Sequence, residues 1–395
     1  MCFFYRRSRE KSTRKSGFTL LEMLVATSIL ILIIGILFSL TQGTSKVWKK
    51  TTGEAEAFRG ARTAFDALTR TLSQATLNTY YDYVYSVSSG TYVFATGGAQ
   101  LTGQPLTYAR NSDLEIASGP MPTLAQNATM GTYTFVTHGV FFQAPLGLTA
   151  STTDANLNGL LNACGFYVMY GPDHLQPGYV TSTNRNRYRL YQFTQPSEDL
   201  AVYVSGNKGA YGYNWWYSSV HNDFKFLTTL PSENFVLCDN VIALVILPKL
   251  STKDELQAET LENVTAPMGT ALAPSYLYDS ATAGAGAPIS STTGAAKYPM
   301  LNSMNQMPPV FQVTMVAIDE ASALKLNNPS SPPNAQLGIT SSLFTSAASF
   351  ATDLATLQKD LSAAPGNSAG NKIPMNFRVF QTDVAVRGAK WTTDN

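Results

Sequence analysis

The sequence of 395 residues predicts an α+β protein: a long N-terminal helix, transmembrane and then amphipathic, packed on an antiparallel β-rich head. Three observations carry this. Met23 to Ser45 contains no charged residue. Phe58, Ala61, Phe65, Leu68, Leu72 and Ala75 follow at 3-4-3-4-3 spacing, the period of one apolar helix face. From Tyr80 onward, runs of Tyr, Val, Phe and Thr are separated by Gly, Pro, Asn and Ser, the texture of strands and turns.

The first element is a basic leader, residues 1–17. Arg6, Arg7, Arg9, Lys11, Arg14 and Lys15 stand against Glu10, a local charge of +5. The whole chain is only +1, so the remaining residues sum to −4. A body with no basic excess is a poor partner for phosphate backbones, which argues against nucleic-acid binding. Charged residues are 13% of the chain against about 25% in ordinary soluble proteins. Hydrophobic content is 44%, enough for a large core.

The second element is the apolar helix, residues 18–45. Met23 to Leu40 is long enough to cross ~30 Å of hydrocarbon. With the basic segment in front, the positive-inside rule puts the N-terminus in the cytoplasm and the body outside. Three readings compete. A cleaved signal peptide needs a small-x-small site, and Phe38-Ser-Leu-Thr-Gln-Gly43 offers none. A permanent signal anchor fits the hydropathy. The third reading rests on Gly17 followed by Phe18-Thr-Leu-Leu-Glu22-Met-Leu-Val-Ala-Thr-Ser-Ile-Leu.

This last run resembles the signal of type IV pilins and type II secretion pseudopilins. The resemblance implies cutting after Gly17 by prepilin peptidase, N-methylation of Phe18, and Glu22 as the fifth mature residue. It also implies other pilin or pseudopilin subunits and the inner membrane as partners, a periplasmic head and a filament, and a pilin-like fold. A carboxylate inside a membrane helix costs up to ~2.5–3.5 kcal/mol, so Glu22 asks for a partner. The positive amine of a neighbouring Phe18 would offset that cost and fix the stagger. The bland alternative is a Glu lying idle at the membrane edge.

The third element continues the helix over residues 46–79, with Arg62–Asp66 and Asp66–Arg70 as opposite charges four apart. Gly35, Gly43, Gly53 and Gly60 weaken it. The head is residues 80–395. Its strand candidates are Thr132–Gln143, Gly165–Tyr170, Tyr188–Phe193, Leu200–Ser205, Val241–Leu247, Phe311–Ile318 and Phe377–Val386. A helix is expected over Ser349–Leu361. Residues 265–309, rich in Ala, Gly, Ser, Thr and Pro, read as a mobile surface loop, and Asn327–Asn334 as a second loop.

Leu72–Asp82, Thr137–Gly147, Val313–Glu320, Phe377–Phe380 and Ala389-Lys-Trp391 are similar to stretches of the Verru_Chthon cassette protein C family. That family comprises prepilin-like proteins encoded in multi-gene cassettes. Arg59–Gln74 is more loosely similar to large minor pilins and the J-type minor pseudopilin.

Other chemistry is thin. Asp154, Asn156 and Asn158 imitate the start of an EF-hand loop, but its bidentate Glu would fall at Gly165. They are weak metal candidates, and an Asn/Gly turn is the plain reading. Asp254, Glu255, Glu259 and Glu262 form an acidic cluster that reads as a solvated helix. His138, His174 and His221 are isolated, and no Gly-x-Ser-x-Gly elbow occurs. No enzyme activity and no cofactor are therefore expected. With Cys2 in the leader, a disulfide is allowed between Cys164 and Cys238, with two buried thiols as the alternative. Tyr211-Gly-Tyr-Asn-Trp-Trp-Tyr217 is either an adhesive aromatic patch or a loop anchor.

Overall fold

The computed structural model describes residues 19–88, 91–94, 104–130, 132–154, 156–173, 185–203, 215–216, 234–256, 269–281, 303–326, 332, 337–339, 342–362 and 375–391. It is an α+β structure, in which a long N-terminal helix precedes antiparallel sheets. The chain divides into two compact units, Met1–Ala55 and Glu56–Asn395.

Helix α1 runs over Leu20–Leu72. In the first unit it carries the apolar stretch Leu20–Ser45, mean hydropathy 2.8, none of it buried. At 1.5 Å per residue this stretch exceeds the ~30 Å of a hydrocarbon core. In the second unit, Phe58, Ala61, Phe65, Leu68 and Leu72 of α1 are all buried, as is Ala75 beyond its end. Arg62 and Asp66 form an exposed pair at 4.0 Å on the opposite face. A Cβ on Gly60 would meet nothing within 4 Å. Gly60→Ala should therefore raise stability by about 0.5–1 kcal/mol by restricting the unfolded chain. A denaturant midpoint for the detergent-solubilised chain checks this. A drop would mean that the backbone there needs its freedom.

Three antiparallel sheets make up the described part of the head. The first has β1 (Tyr80–Ser88) between β2 (Thr91–Phe94) and β3 (Thr107–Asn111). The large sheet contains β4 (Ala117–Pro120), β5 (Thr129–Met130), β6 (Tyr133–Pro145), β7 (Leu161–Pro172), β8 (Asn186–Gln195) and β9 (Asn234–Asp239). The third contains β10 (Val241–Lys249). The short β11 (Tyr278–Asp279) completes the large sheet, in the order β11-β4-β6-β7-β8-β9 with β5 on β6. In the third sheet, β12 (Val310–Ile318) lies between β10 and β13 (Phe377–Ala385). Helix α2 (Met121–Leu124) follows β4, α3 (Glu320–Leu324) follows β12, and α4 (Phe350–Ser362) precedes β13.

The buried face of α1 meets the third sheet. Phe65 lies 5.8 Å from Phe380, and the Arg378 guanidinium stands 5.2 Å from the centre of the Phe58 ring. After α1, Thr76 N–H bonds the Gln143 carbonyl at 2.9 Å, while Ser73 accepts from Arg387 N–H at 3.1 Å. The head is thus built around the end of the helix.

A bulge in β6 joins the two larger sheets. Its register shifts between Val136 and Gly139. Thr137 takes φ +58°, a costly conformation for a β-branched residue. The bulge turns two side chains onto the open edge of β10. Thr137 Oγ1 accepts from Leu244 N–H at 3.0 Å, and His138 Nδ1 from Ile246 N–H at 3.4 Å. A strand edge that would otherwise bury bare N–H groups is satisfied at these two positions.

Two expectations are corrected here. Leu200–Ser205 is not a strand where described: Ala201–Tyr203 is a 3-10 turn that buries Val202. Residues 269–281 and 303–309 are not mobile surface loop either. Ala271, Leu272, Ala273, Tyr276, Tyr278 and Met307 are buried, and Tyr278–Asp279 pairs with β4. Residues 265–268 and 282–302 lie outside the described residues, as does most of Asn327–Asn334.

Candidate functional site

The start of α1 is built by two side chains. Thr19 stands before the first helical residue, where three N–H groups lack helical acceptors. Its hydroxyl accepts from Glu22 N–H at 3.3 Å. The Glu22 carboxylate reaches back and takes the Thr19 N–H at 2.9 Å and the Thr19 hydroxyl at 3.0 Å. This is a reciprocal capping box. The Thr-x-x-Glu spacing was its signal in the sequence. Further along, Thr27, Ser28, Thr41 and Thr44 each donate to a carbonyl three or four residues back. Those four hydroxyls of the apolar stretch therefore need no water. Gly17 and Phe18 lie outside the described residues.

A family model described as the prokaryotic N-terminal methylation motif matches residues 12–38. The match supports a type IV pilin-like protein. No curated protein and no solved structure matches the chain. The motif implies processing by prepilin peptidase and association with other pilins in general, and with the apolar helix it indicates membrane anchoring. It points to a structural subunit rather than an enzyme.

The head sorts the remaining candidates. Cys164 and Cys238 are free thiols, so the bridge allowed by the sequence is not made. Cys164 sits opposite Thr194 of β8, and Cys238 opposite Leu190 of the same strand. With β8 between them and those two positions four residues apart along it, the cysteines are separated by two strand spacings and four residues of rise, about 16 Å, beyond the ~7 Å limit between Cα atoms. Burial pushes the Cys164 thiol up to about 12, which leaves it protonated and inert. Asp154, Asn156 and Asn158 lie in the turn before β7, where the Asp154 carbonyl accepts from Leu157 N–H at 2.9 Å. Gly147 meets this turn at φ +73°, and a Cβ there would stand 2.8 Å from the Asn158 carbonyl oxygen.

The acidic cluster is not a solvated helix throughout. Glu255 is buried, and its carboxylate accepts from Gly269 N–H at 3.0 Å and Ala271 N–H at 3.2 Å. It ties down the segment that composition alone reads as loose. Asp254 caps locally, accepting from Ser251 at 2.6 Å. Glu259 and Glu262 lie outside the described residues, as do His174 and His221.

His138 is buried, its ring 4.7 Å from that of Tyr276 and tilted 57° to it. Its Nδ1 accepts from Ile246, so Nε2 carries the proton and donates to the Phe344 carbonyl at 3.1 Å. A cleft of about 320 Å³ adjoins it, lined by Phe135, Ile339, Leu343 and Phe344 among others, with no carboxylate among the lining residues. Both ring nitrogens are spent on structure. Burial drives the imidazole down to about 4, against the opposing pull of its two backbone bonds. Between about pH 6.5 and 4 the unfolded chain binds a proton that the folded one refuses. Stability should therefore be complete above pH 6.5 and fall by about 3 kcal/mol as the pH drops to 4. Unfolding curves at pH 7 and 4.5 measure it, and His138→Asn should flatten the slope. An unchanged slope would remove His138 as its source.

Of Tyr211–Tyr217, only Trp215 and Trp216 are described, and both are buried. Trp216 stacks on Phe141 at 4.9 Å and 5°, and donates to the Leu124 carbonyl at 3.3 Å. Trp215 meets Trp216 edge-on at 5.1 Å. These two rings lie in the core and form no surface patch.

Sequence reasoning missed a charged seam. Arg185, Arg187 and Arg189 alternate along β8 and its approach, so they share one face. Arg189 bonds Asp239 at 2.6 Å and also Asp173, and Arg187 reaches Asp173 at 2.9 Å. Arg187 grips Glu320 at 2.7 and 3.0 Å, joined by Arg185 and by Asn240 at 2.8 and 2.9 Å. Burial raises the Glu320 carboxyl, but the bonds from Arg187 and Asn240 and the two arginine charges outweigh it and hold it below the ordinary value. Three cations meet three anions, and Glu320 at the start of α3 ties the third sheet to the large one. The Arg-x-Arg-x-Arg period was the available signal.

Proposed function

We propose that this chain is a structural subunit of the minor pilin or pseudopilin kind. Prepilin peptidase would cut it between Gly17 and Phe18, methylate Phe18, and release it for assembly into a type IV pilus or a type II secretion-like filament. Before assembly it would sit in the inner membrane, N-terminus in the cytoplasm and head in the periplasm. Residues 1–17 are the removed leader, 18–45 the assembly helix, 46–79 its amphipathic continuation and 80–395 the head. The Verru_Chthon cassette protein C family is the finer affiliation we favour.

The observation that carries this reading is the motif match over residues 12–38, which spans Gly17, Phe18 and Glu22 together. The unburied apolar stretch of α1 supports it, because such a surface needs lipid or like helices around it. The test is the mass of the mature N-terminus, from cells with and without prepilin peptidase. A peptidase-dependent, N-methylated Phe18 is expected. A chain still beginning at Met1 in both would reduce the segment to a signal anchor.

A further inference from the structure

The loop that joins β6 to β7 ends in the only Asn-Gly pair of the sequence, Asn158-Gly159. Both residues are exposed and lie in a turn. Among the described residues, neither the Asn158 side chain nor the Gly159 N–H has a hydrogen-bond partner. No bond within the fold has to break before either group reacts. A Cβ on Gly159 would meet nothing within 4 Å, so the space around its main chain is open. The flanks of the turn, in contrast, are fixed. Leu157 N–H bonds the Asp154 carbonyl at 2.9 Å, and Gly147 N–H the Leu160 carbonyl at 3.0 Å.

We infer that Asn158 is a modification site, deamidated spontaneously with water as the co-reactant. The Gly159 nitrogen gives its proton to hydroxide and attacks Asn158 Cγ. The N–Cγ bond forms, the Cγ–Nδ2 bond breaks, and Nδ2 takes up a proton and leaves as ammonia. Nothing is oxidised or reduced. Water then opens the cyclic imide at either carbonyl. Opening at Cγ gives aspartate, and opening at the main-chain carbonyl gives isoaspartate. Glycine matters because any other residue brings a Cβ beside the attacking nitrogen. Two other asparagines show the contrast. Asn127 is exposed but precedes Ala128, and its side-chain oxygen accepts from Thr129 N–H at 3.2 Å. Asn162 is buried and donates to the Leu148 and Gln195 carbonyls at 2.7 and 3.1 Å. Both products add a negative charge. Isoaspartate also adds a carbon to the main chain, where a Cβ on Gly147 would already stand 2.8 Å from the Asn158 carbonyl oxygen. The turn has no slack there, so the iso form loosens the contact between the two ends of the loop. A subunit thus acquires a slow, one-way mark of age, whether or not it enters a filament.

The test is incubation of the folded full-length chain in non-ionic detergent, at mildly alkaline and mildly acid pH, then digestion with endoproteinase Asp-N. The enzyme releases residues 154–172, bounded by Asp154 and Asp173. Mass and fragmentation of that peptide report which amide is lost. The enzyme cuts again before a new aspartate at 158 and not before isoaspartate, so the two products separate. Conversion at Asn158 is expected, faster in alkali, with Asn127 at least about tenfold slower and Asn162 unchanged. Gly159→Ala should slow the reaction at least about tenfold. The open space there lets the fold accept the methyl group. Conversion equally fast in that variant would overturn the proposal, as would loss of the amide at Asn127 ahead of Asn158. So would an Asn158 that converts only after denaturation in urea, since the folded turn would then be withholding the attack.

Discussion

Glu22→Gln should leave cleavage after Gly17 intact and remove the chain from filaments, lowering the sheared-to-membrane ratio at least about tenfold. Two roles of the carboxylate have to be separated. Within one chain, Glu22 closes the capping box with Thr19. Gln also accepts hydrogen bonds at that position and preserves the box. What Gln cannot supply is the charge. The pairing expected from the sequence sets that charge against the Phe18 amine of the next subunit. An unpartnered ammonium in an apolar helix bundle costs about 2.5–3.5 kcal/mol, more than the 1.4 kcal/mol of a tenfold change. Thr19→Ala is the converse case. It keeps the charge and removes the cap, at about 1 kcal/mol of local helix stability, and should leave assembly close to normal. The readout is an immunoblot of sheared and membrane fractions beside the N-terminal mass. Normal assembly of the Gln variant would remove the charge pair from the mechanism. Failure of Thr19→Ala alone would assign Glu22 to capping.

The sequence made some parts of this molecule plain and hid others, for physical reasons. The helix was legible because Phe58 to Ala75 keeps strict helical spacing over five intervals, and because Met23 to Ser45 has no charge. Strands β6, β7, β8, β10, β12 and β13 were legible because they are long and rich in aromatic and β-branched residues. Residues 269–281 were not, since composition averages over a window and here a few anchors decide. Leu272, Tyr276 and Tyr278 fill the core, and the small Ala271 and Ala273 are buried beside them. Leu200–Tyr203 is apolar without alternation, and the run folds into turns instead. Aromatic content likewise says nothing of direction. The tryptophans of the densest cluster point inward, while the tyrosines of β1, ordinary in the sequence, face outward. Pairings such as Arg187 with Glu320 are 133 residues apart and depend on tertiary contacts that no local pattern carries.

The seam built by those pairings carries the largest stability effect expected in the head. Arg189→Met should destabilise it by about 3 kcal/mol, the low end of the cost of breaking a buried pair, because Asp173 stays buried with one cation fewer while Asp239 is 45% exposed. The Arg189 side chain is 3% exposed and that of Asp173 10%. Methionine fits the stem but removes one of the two arginines on Asp173 and the arginine on Asp239. Glu320→Gln should cost far less, about 1 kcal/mol or under, because the Glu320 side chain is 45% exposed and water replaces part of what is lost. The ranking follows from desolvation, since the same ion pair is worth more to break where water cannot return. Denaturant unfolding of both variants, with the buried tryptophans as fluorophores, measures it. The lowered Glu320 carboxyl adds a sign. Its share of stability is complete above the ordinary carboxyl value and is lost as the pH falls through its folded one, so Glu320→Gln should weaken that acid dependence. Equal costs for the two variants would mean that the seam behaves as a surface network, and that the bulge at Thr137 and His138 holds the sheets together without it.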